Sequence, residues 1–314
     1  MPAARSHDVL NARPGTREQT MTTRVDEDSR TSGRSRAALA KTHPALFVAC
    51  GDGPGDRTGR GSESAPSAAS ASLSTGTTPA RAPEPTTADP PAVPAHLRGK
   101  DVTEIPTGDR VVALTFDAGA NSAGLPSILG TLADQQVPAT FFLTGQWVDN
   151  NPHGVAVIHA DGHRLGNHSM THPHLPALPD QAIRDEVQGA QQRILAAGAD
   201  PRPLFRFPFG DRDERTIAAV NDLGYVAVRW TVDTLGWKGT SGGMSAQKVT
   251  DRAMDALRPG EIVLMHLGSN PEDGTTLDAD ALPDMNERMR AAGYTFVTLD
   301  ALLSTGDGRR LAAG

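Results

Sequence analysis

Two histidines four residues apart, His168 and His172, are the strongest indication of chemistry in the sequence. In a helix this spacing would place both imidazoles on one face. Pro173 disfavours helical geometry at His172, so we predict that the pair lies in a tight turn directly after a short strand that ends near Asn167. Neutral imidazoles bind zinc, cobalt or nickel, and the alternative is a pair of surface histidines without a metal.

A carboxylate, Asp117, follows an apolar run and precedes Gly119, where a turn would let a substrate approach the backbone. Asp117 is therefore a candidate general base, and the alternative is an aspartate that caps the next helix. Arg206 opens the segment Arg206-Phe-Pro-Phe-Gly210, which combines a guanidinium group with a stiff aromatic turn. Arg206 could hold Asp117 in its ionised form, or it forms an ordinary surface ion pair of little energetic weight.

Two further segments, which end in Asp233 and His266, each bring a polar side chain to the end of a predicted strand. A carboxylate that binds an imidazole fixes its tautomer and favours its charged form, which can protonate a leaving amine. We therefore expect Asp233 to orient His266 as a general acid. Each of these residues alone is weak support for an active site. The prediction of an active site depends on the occurrence of such polar residues at five predicted strand ends.

Apolar runs and amphipathic stretches alternate along the part of the chain that carries these residues. The pattern predicts strands at 111–116, 139–143, 204–207, 226–230, 262–265 and 295–299. It predicts helices near 125–135, 179–197, 214–223, 246–257 and 282–292. Such alternation indicates an α/β fold with a parallel sheet, in which functional side chains collect at the carboxyl ends of the strands.

The composition of the 314 residues is uneven along the chain. Residues 1–100 contain few large apolar side chains and are predicted to be disordered, with a linker rich in Pro, Ser and Ala near their end. Residues 101–305 can bury a core and are predicted to form one domain, and residues 306–314 a flexible tail. The formal net charge of -7 and the lack of a basic face argue against nucleic acid as a partner.

Cys50 is the single cysteine, which excludes an internal disulfide framework and a multi-cysteine metal site. It follows a short apolar run and precedes a Gly-, Ser-, Thr-, Ala- and Pro-rich stretch, a pattern that resembles a lipoprotein anchor followed by a stalk. The alternative is an ordinary cysteine in a disordered tail. No stretch reaches the roughly 18 consecutive apolar residues of a spanning helix, so no transmembrane segment is predicted.

In their order along the chain, these motifs resemble the polysaccharide deacetylase family, the metal-dependent carbohydrate esterases that include chitin and peptidoglycan deacetylases. The resemblance covers about residues 111–303 and implies a distorted (β/α) barrel. Thr115-Phe-Asp-Ala-Gly119 resembles the family's Thr-Phe-Asp-Asp-Gly motif, whose first aspartate, here Asp117, is the base and whose second is a metal ligand. The histidine pair matches the family's metal-binding motif.

The resemblance also implies roles for other residues of the site. In the motif Arg-x-Pro-Tyr/Phe, Arg206 would orient the base, and the backbone amide of Phe209, which follows Pro208, would help to bind the oxyanion. Trp237 falls in the family's Asp-x-x-Asp-Trp motif and Leu264 in its Leu-x-His motif. These apolar side chains are candidates for packing against the sugar or the acetyl methyl group, and core packing is the alternative.

Two positions depart from the family's motifs. Ala118 stands where the family has a ligand carboxylate. Gly236 replaces the second aspartate of the Asp-x-x-Asp-Trp motif, the fourth of the family's motifs along the chain. The histidine pair supplies two protein ligands, whereas catalytic zinc usually has three. Either Asp117 or Asn121 provides a further oxygen, or the metal is weakly held or absent.

The resemblance implies a hydrolase that removes N-acetyl groups from an amino-sugar polymer, peptidoglycan or a chitin-like glycan, with a divalent metal for which zinc is the first expectation. A monomer located outside the cytoplasm, secreted or associated with the cell envelope, is expected. One alternative is a degenerate member that binds glycan without hydrolysing it. Another is a hydrolase of a non-sugar amide or an ester, because fold and motif do not fix the substrate.

Overall fold

The computed structural model describes residues 92–304, so the predictions for Cys50, the linker before residue 92 and the tail 306–314 lie outside the described residues. Residues 92–100, which the sequence placed in the disordered region, pack on the domain. Val93 and Leu97 are buried, and the backbone N–H of Gly99 donates to the side chain of Asn221 at 2.7 Å. The folded part therefore begins before Asp101, because two apolar side chains anchor a mostly polar stretch.

Within the described residues, nine strands form a sheet and eight α-helices accompany it. The strands are β1 (Asp101–Val102), β2 (Val111–Ala118), β3 (Thr140–Leu143), β4 (Arg164–Asn167), β5 (Leu204–Phe205), β6 (Val226–Val228), β7 (Val232–Asp233), β8 (Glu261–His266) and β9 (Thr295–Phe296). The helices are α1 (Leu125–Asp134), α2 (Gly145–Asn150), α3 (Pro152–Ala160), α4 (Asp180–Ala196), α5 (Glu214–Asp222), α6 (Ala246–Ala256), α7 (Leu277–Ala291) and α8 (Ala301–Ser304).

The strand order is β1-β6-β5-β4-β3-β2-β8-β7, and β9 pairs with β2. All of these strand pairs are parallel. Every residue of β2 is buried, as expected for a central strand of a parallel sheet that is covered on both faces. The strands curl into a half-barrel, which confirms the predicted distorted (β/α) barrel.

Helix α1 shows how the sequence builds the wall behind the site. Leu125, Ile128, Leu129 and Leu132 follow the i, i+3, i+4, i+7 spacing of one helical face, and all four are buried. They belong to the main hydrophobic cluster together with Phe116 of β2. This packing fixes the carboxyl end of β2, where the candidate base is located. None of the helices within residues 92–304 is long and apolar enough to span a membrane.

Helix α7 begins at Leu277, five residues before the start predicted at 282. A start at 282 would place Pro283 in the first turn of the helix, where proline is usually found. In the structure it lies inside the helix, so the carbonyl of Ala279 receives no helical hydrogen bond from it. The earlier start brings Asp278 into the first turn. The sequence analysis also did not predict the short helices α2 and α3.

Candidate active site

Asp117 lies near the end of β2 and forms an ion pair with Arg206. The guanidinium Nη1 donates to Asp117 Oδ1 and to Thr115 Oγ1, both at 2.8 Å, and Nη2 donates to the carbonyl of Arg229 at 2.8 Å. The guanidinium also stacks on the ring of Phe142, with 4.1 Å between its carbon and the ring centroid. Both charged groups are buried, so this is not a surface ion pair.

The electrostatic surroundings keep Asp117 ionised. Burial by itself would raise the pKa of this carboxyl group, because it disfavours the charged form. The positive charge of Arg206, the imidazoles of His168 and His266 and the hydrogen bond from Arg206 act in the opposite direction, and the pKa lies below its ordinary value. A buried but ionised carboxylate is suited to accept a proton.

The two histidines lie in a tight turn directly after β4, as predicted. Ser169 and His172 have φ angles of 68° and 62°, in the left-handed region that residues other than glycine rarely adopt. Two local hydrogen bonds hold this conformation. The backbone N–H of Ser169 donates to Asn167 Oδ1 at 2.9 Å, and that of His172 donates to Ser169 Oγ at 3.0 Å.

The environment of His168 and His172 keeps both imidazoles neutral. Nδ1 of His168 lies 2.8 Å from the carbonyl of Arg206, and since a carbonyl only accepts, the ring proton is on Nδ1. Nε2 therefore carries a lone pair, 3.4 Å from Asp117 Oδ2. The two rings are in contact, with centroids 4.8 Å apart. Burial lowers the pKa of His168, and burial together with the neighbouring His168 lowers the pKa of His172 to about 4.

The donor chemistry of this pair fits a divalent metal, because an imidazole whose Nδ1 is held by a carbonyl presents Nε2 to the ion. Among residues 92–304, however, no group of three or more His, Cys, Asp or Glu side chains is arranged around a metal position. Ala118 is fully buried in the main hydrophobic cluster. Asn121 does not compensate, since its Oδ1 accepts the backbone N–H groups of Ala123 and Ser269. The pair thus provides one protein ligand fewer than is usual for catalytic zinc.

His266 ends β8 beside Asp117, since the strand register makes these two residues partners. The expected pairing of His266 with Asp233 is wrong. Oδ1 of Asp233 accepts the backbone N–H of Leu235 at 2.9 Å, Oδ2 accepts Nε1 of Trp237 at 3.3 Å, and Asp233 forms no ion pair with His266 among the described contacts. The carboxylate beside His266 belongs to Asp278, whose Oδ2 lies 3.9 Å from Nδ1.

A cavity of about 570 Å³ opens above these groups. Phe209 and Trp237 are 59% and 46% exposed and line it, and Leu264 contributes to its wall. Pro208 is buried outside the lining, in a short 3-10 turn that places Phe209 at a φ of 59°, so it does not face a substrate. The sequence analysis missed several lining residues, which no motif marks: Gln146, Thr171, Trp230, Ser269 and Pro271.

Comparison with known proteins identifies the family. The sequence pattern of the polysaccharide deacetylase family matches residues 104–228. A chitooligosaccharide deacetylase of Bradyrhizobium sp. (strain ANU 289) is 34% identical over 195 residues, which is 62% of this chain and 86% of that protein. The chain belongs to the polysaccharide deacetylase family. The assignment made from the motifs is confirmed, and with it the prediction of a polysaccharide deacetylase enzyme.

Solved structures of the polysaccharide deacetylase family show the same fold. A peptidoglycan N-acetylglucosamine deacetylase is 29% identical with a TM-score of 0.59, over 64% of this chain and 91% of that one. A mutant of a CE4 family pseudoenzyme with restored enzymatic activity is 33% identical with a TM-score of 0.57, over 62% of this chain and 68% of that one. Family membership also supports the expected use of a divalent metal.

Proposed function

We propose that this chain hydrolyses N-acetyl groups on an amino-sugar polymer, peptidoglycan or a chitin-like glycan, outside the cytoplasm. One observation carries the proposal: a buried, ionised Asp117, held by Arg206, lies between a pair of neutral imidazoles and the general-acid candidate His266. A base, a metal-binding pair and an acid that border one open cavity are the groups that amide hydrolysis requires.

Each group has a role in the reaction. A divalent metal, with zinc expected first and cobalt or nickel as alternatives, would be held by His168 and His172 and would polarise the acetamide carbonyl. Asp117 accepts a proton from the attacking water. The backbone N–H of Phe209 stabilises the negative charge that develops on the carbonyl oxygen. His266 donates a proton to the nitrogen as the C–N bond breaks, so that acetate and a free amino sugar leave.

The rim of the cavity supports a glycan as substrate. Phe209 and Trp237 expose their rings beside the candidate catalytic groups, and apolar rings of this kind pack against sugar faces and acetyl methyl groups. The similar proteins are named for chitooligosaccharide and for peptidoglycan N-acetylglucosamine, both of which carry N-acetylated amino sugars. A peptidoglycan substrate would place the enzyme in the cell envelope, where we expect it to act as a monomer.

A second candidate function is glycan binding without hydrolysis. The two-histidine donor set and the buried Ala118 favour it, because a metal held by too few ligands is easily lost. Similarity to a pseudoenzyme of the family in its wild-type form also supports this alternative. It predicts binding of acetylated oligosaccharides with no bound metal and no acetate release.

Metal content and acetate release of the full-length protein test the proposal. We expect near-stoichiometric zinc or cobalt by elemental analysis, and acetate release from acetylated oligosaccharides. The double variant His168→Ala, His172→Ala should lose both, because it removes both imidazole donors. A matched control, His153→Ala with His159→Ala, removes two exposed histidines of α3 and should retain both.

The other outcomes separate the alternatives. No metal in the wild-type protein after incubation with excess zinc would contradict the hydrolytic mechanism and favour glycan binding. Turnover of small esters or amides, with no acetate from any sugar, would identify a hydrolase of non-sugar substrates. Equal metal content in the two double variants would mean that the metal binds elsewhere.

A further inference from the structure

Asp278 is a buried carboxylate in the first turn of α7 that no sequence motif marked. Only 2% of the residue is exposed. Its Oδ1 accepts the hydroxyl of Thr234 at 2.6 Å, and its Oδ2 accepts the backbone N–H of His266 at 2.9 Å. The side chain therefore lies behind His266, outside the lining of the cavity. A charge in such a place requires partners, because burial without them is costly.

Gly236 explains why this carboxylate fits. A Cβ at residue 236 would lie 2.5 Å from Cγ of Asp278 and closer still to Oδ1, so any side chain there would overlap the carboxylate. Gly236 does not have a positive φ, so its backbone conformation does not require glycine. The residue is small because Asp278 fills the space beside it. The carboxylate of Asp278, which comes from α7, therefore occupies the space beside position 236, where the family's Asp-x-x-Asp-Trp motif has its second aspartate.

The imidazole of His266 has one nitrogen that needs such a partner. Nδ1 is buried and has no hydrogen-bond partner among the described residues, and Asp278 Oδ2 lies 3.9 Å away. Two other carboxylates are near. Asp233 is bound to Leu235 and Trp237, and Asp117, the strand partner of His266, is held by Arg206 and lies 3.4 Å from His168. This separation of Nδ1 from Asp278 is about 1 Å longer than an N–H···O hydrogen bond, so a direct bond requires the ring to move toward Asp278.

We propose that Asp278 is the positioning residue of the general acid, holding Nδ1–H of His266 so that Nε2 faces the cavity. This inference rests on the proposed deacetylase function. The carboxylate fixes the tautomer and supplies a negative charge beside the imidazolium that protonates the leaving amine. A purely structural role, in which Asp278 only ties α7 to the end of β8, is the alternative that the experiment must distinguish.

Kinetics of the full-length protein on an acetylated oligosaccharide test the pairing. Asp278→Asn keeps the size of the side chain and removes its charge. We expect kcat to fall at least about tenfold with KM changed less than about twofold, because the acid acts in the transition state. The alkaline limb of the kcat profile should move to lower pH, since the imidazolium loses its counter-charge. Asp280→Asn removes an exposed acid from the same helical turn and should leave both unchanged.

Moving the carboxylate gives a rescue test. Asp278→Ala should lower kcat at least as much as Asp278→Asn. Adding Gly236→Asp to this variant places a carboxylate in the vacated space. The double variant should have a kcat at least about tenfold higher than that of Asp278→Ala alone. The proposal would be overturned if Gly236→Asp recovers no kcat and if Asp278→Asn has the same kcat and the same alkaline limb as Asp280→Asn. Asp278 would then have only a structural role.

A measurement without turnover keeps the pairing separate from the proposed function. Burial raises the pKa of Asp278 to about 6, and the neighbouring His266 opposes this rise. NMR titration of the Asp278 carboxyl carbon should therefore show a higher pKa in His266→Gln than in the wild-type protein. An unchanged pKa would overturn the pairing. If the wild-type protein releases no acetate while this pKa rises, the deacetylase function fails and the Asp278–His266 contact stands.

Discussion

At the scale of single residues, the site depends on one buried ion pair. Asp117 is desolvated, and a desolvated carboxyl group would normally hold its proton. Arg206 reverses this by hydrogen bonding to the carboxylate, while Thr115 Oγ1 and the backbone carbonyls of Val228 and Arg229 accept three of its other N–H groups. The base is therefore charged at neutral pH even though water hardly reaches it.

We predict that Asp117, which is ionised in the wild-type protein, is protonated at neutral pH in Arg206→Met. In the wild-type protein the lowered pKa contributes stability above pH of about 4, and this contribution is lost as pH falls through the folded-state pKa. Without Arg206, burial raises the pKa, so the penalty on the variant grows as pH rises. The variant should be destabilised by about 3–5 kcal/mol at neutral pH, and the acidic limb of kcat/KM should move to higher pH.

Thermal unfolding at pH 5 and pH 8 and a pH profile of activity check this prediction. Arg229→Met is the matched control, because Arg229 is partly exposed and its ion pair with Asp101 is 3.6 Å long. An equal loss of stability at the two pH values would show that Arg206 contributes only through packing.

At the scale of elements, helix α4 holds the turn that carries the histidine pair. Oε2 of Glu186 accepts the backbone N–H groups of Met170 and Thr171 at 2.9 and 2.8 Å, and Oε1 accepts the hydroxyl of Thr171 at 2.7 Å. These bonds support a backbone with two residues at positive φ, a conformation that persists only where its surroundings enforce it. The spacing of the two imidazoles therefore depends on a helix outside the motif.

Glu186→Ala should weaken metal binding without removing a ligand. We expect zinc affinity to fall about 10- to 100-fold, since groups that orient metal ligands typically have effects of this size. Competition with a chelator of known zinc affinity measures the change. Asp185→Ala removes an exposed carboxylate of the same helix, which accepts a hydrogen bond from Gln181, and serves as control. The same zinc affinity in both variants would contradict the prediction.

At the scale of the whole molecule, a buried carboxyl group outside the candidate active site lies at the opposite end of β8 from His266. Glu261 begins this strand and is fully buried. Its Oε2 accepts the backbone N–H of Arg258 at 3.2 Å, while its Oε1 has no hydrogen-bond partner among the described residues. Burial raises the pKa of Glu261 to about 7.

This group should make the stability of the domain decrease as pH rises. The unfolded chain releases the proton near the ordinary pKa value of about 4.5, whereas the folded protein retains it up to about pH 7. The contribution of Glu261 is thus complete below pH of about 4 and is lost as pH rises to about 7. Glu261→Gln should remove this dependence and be more stable than the wild-type protein at pH 8 by about 3 kcal/mol.

Urea unfolding at pH 5, 6, 7 and 8 measures the difference between Glu261→Gln and the wild-type protein. Glu104→Gln, a change at a half-exposed carboxylate that pairs with Arg258, is the control and should show no growing difference. A difference for Glu261→Gln that stays constant across this range would mean that the carboxyl group is ionised in the folded protein at all four pH values.

The sequence alone determined the fold class, the family and the positions of most candidate site residues. Asp117, His172 and His266 were predicted to lie together because parallel strands end at one edge of a sheet, and each of these residues lies at the end of a strand or in the turn that follows it. The tight turn of the histidine pair was also predicted, from Pro173 and the strand before it. The start of α7 was not, because tertiary packing holds Pro283 in a helix interior that local propensity disfavours.

Only the tertiary structure decided which carboxylate lies beside the imidazole of His266. Asp233 is the first residue of the segment that matches the family's Asp-x-x-Asp-Trp motif, but its oxygens bind Leu235 and Trp237. Asp278 reaches His266 because the first turn of α7 packs behind β8 and Gly236 leaves room for its side chain. Such a contact depends on how a helix packs against two strands, and the spacing of residues along the chain does not contain that information.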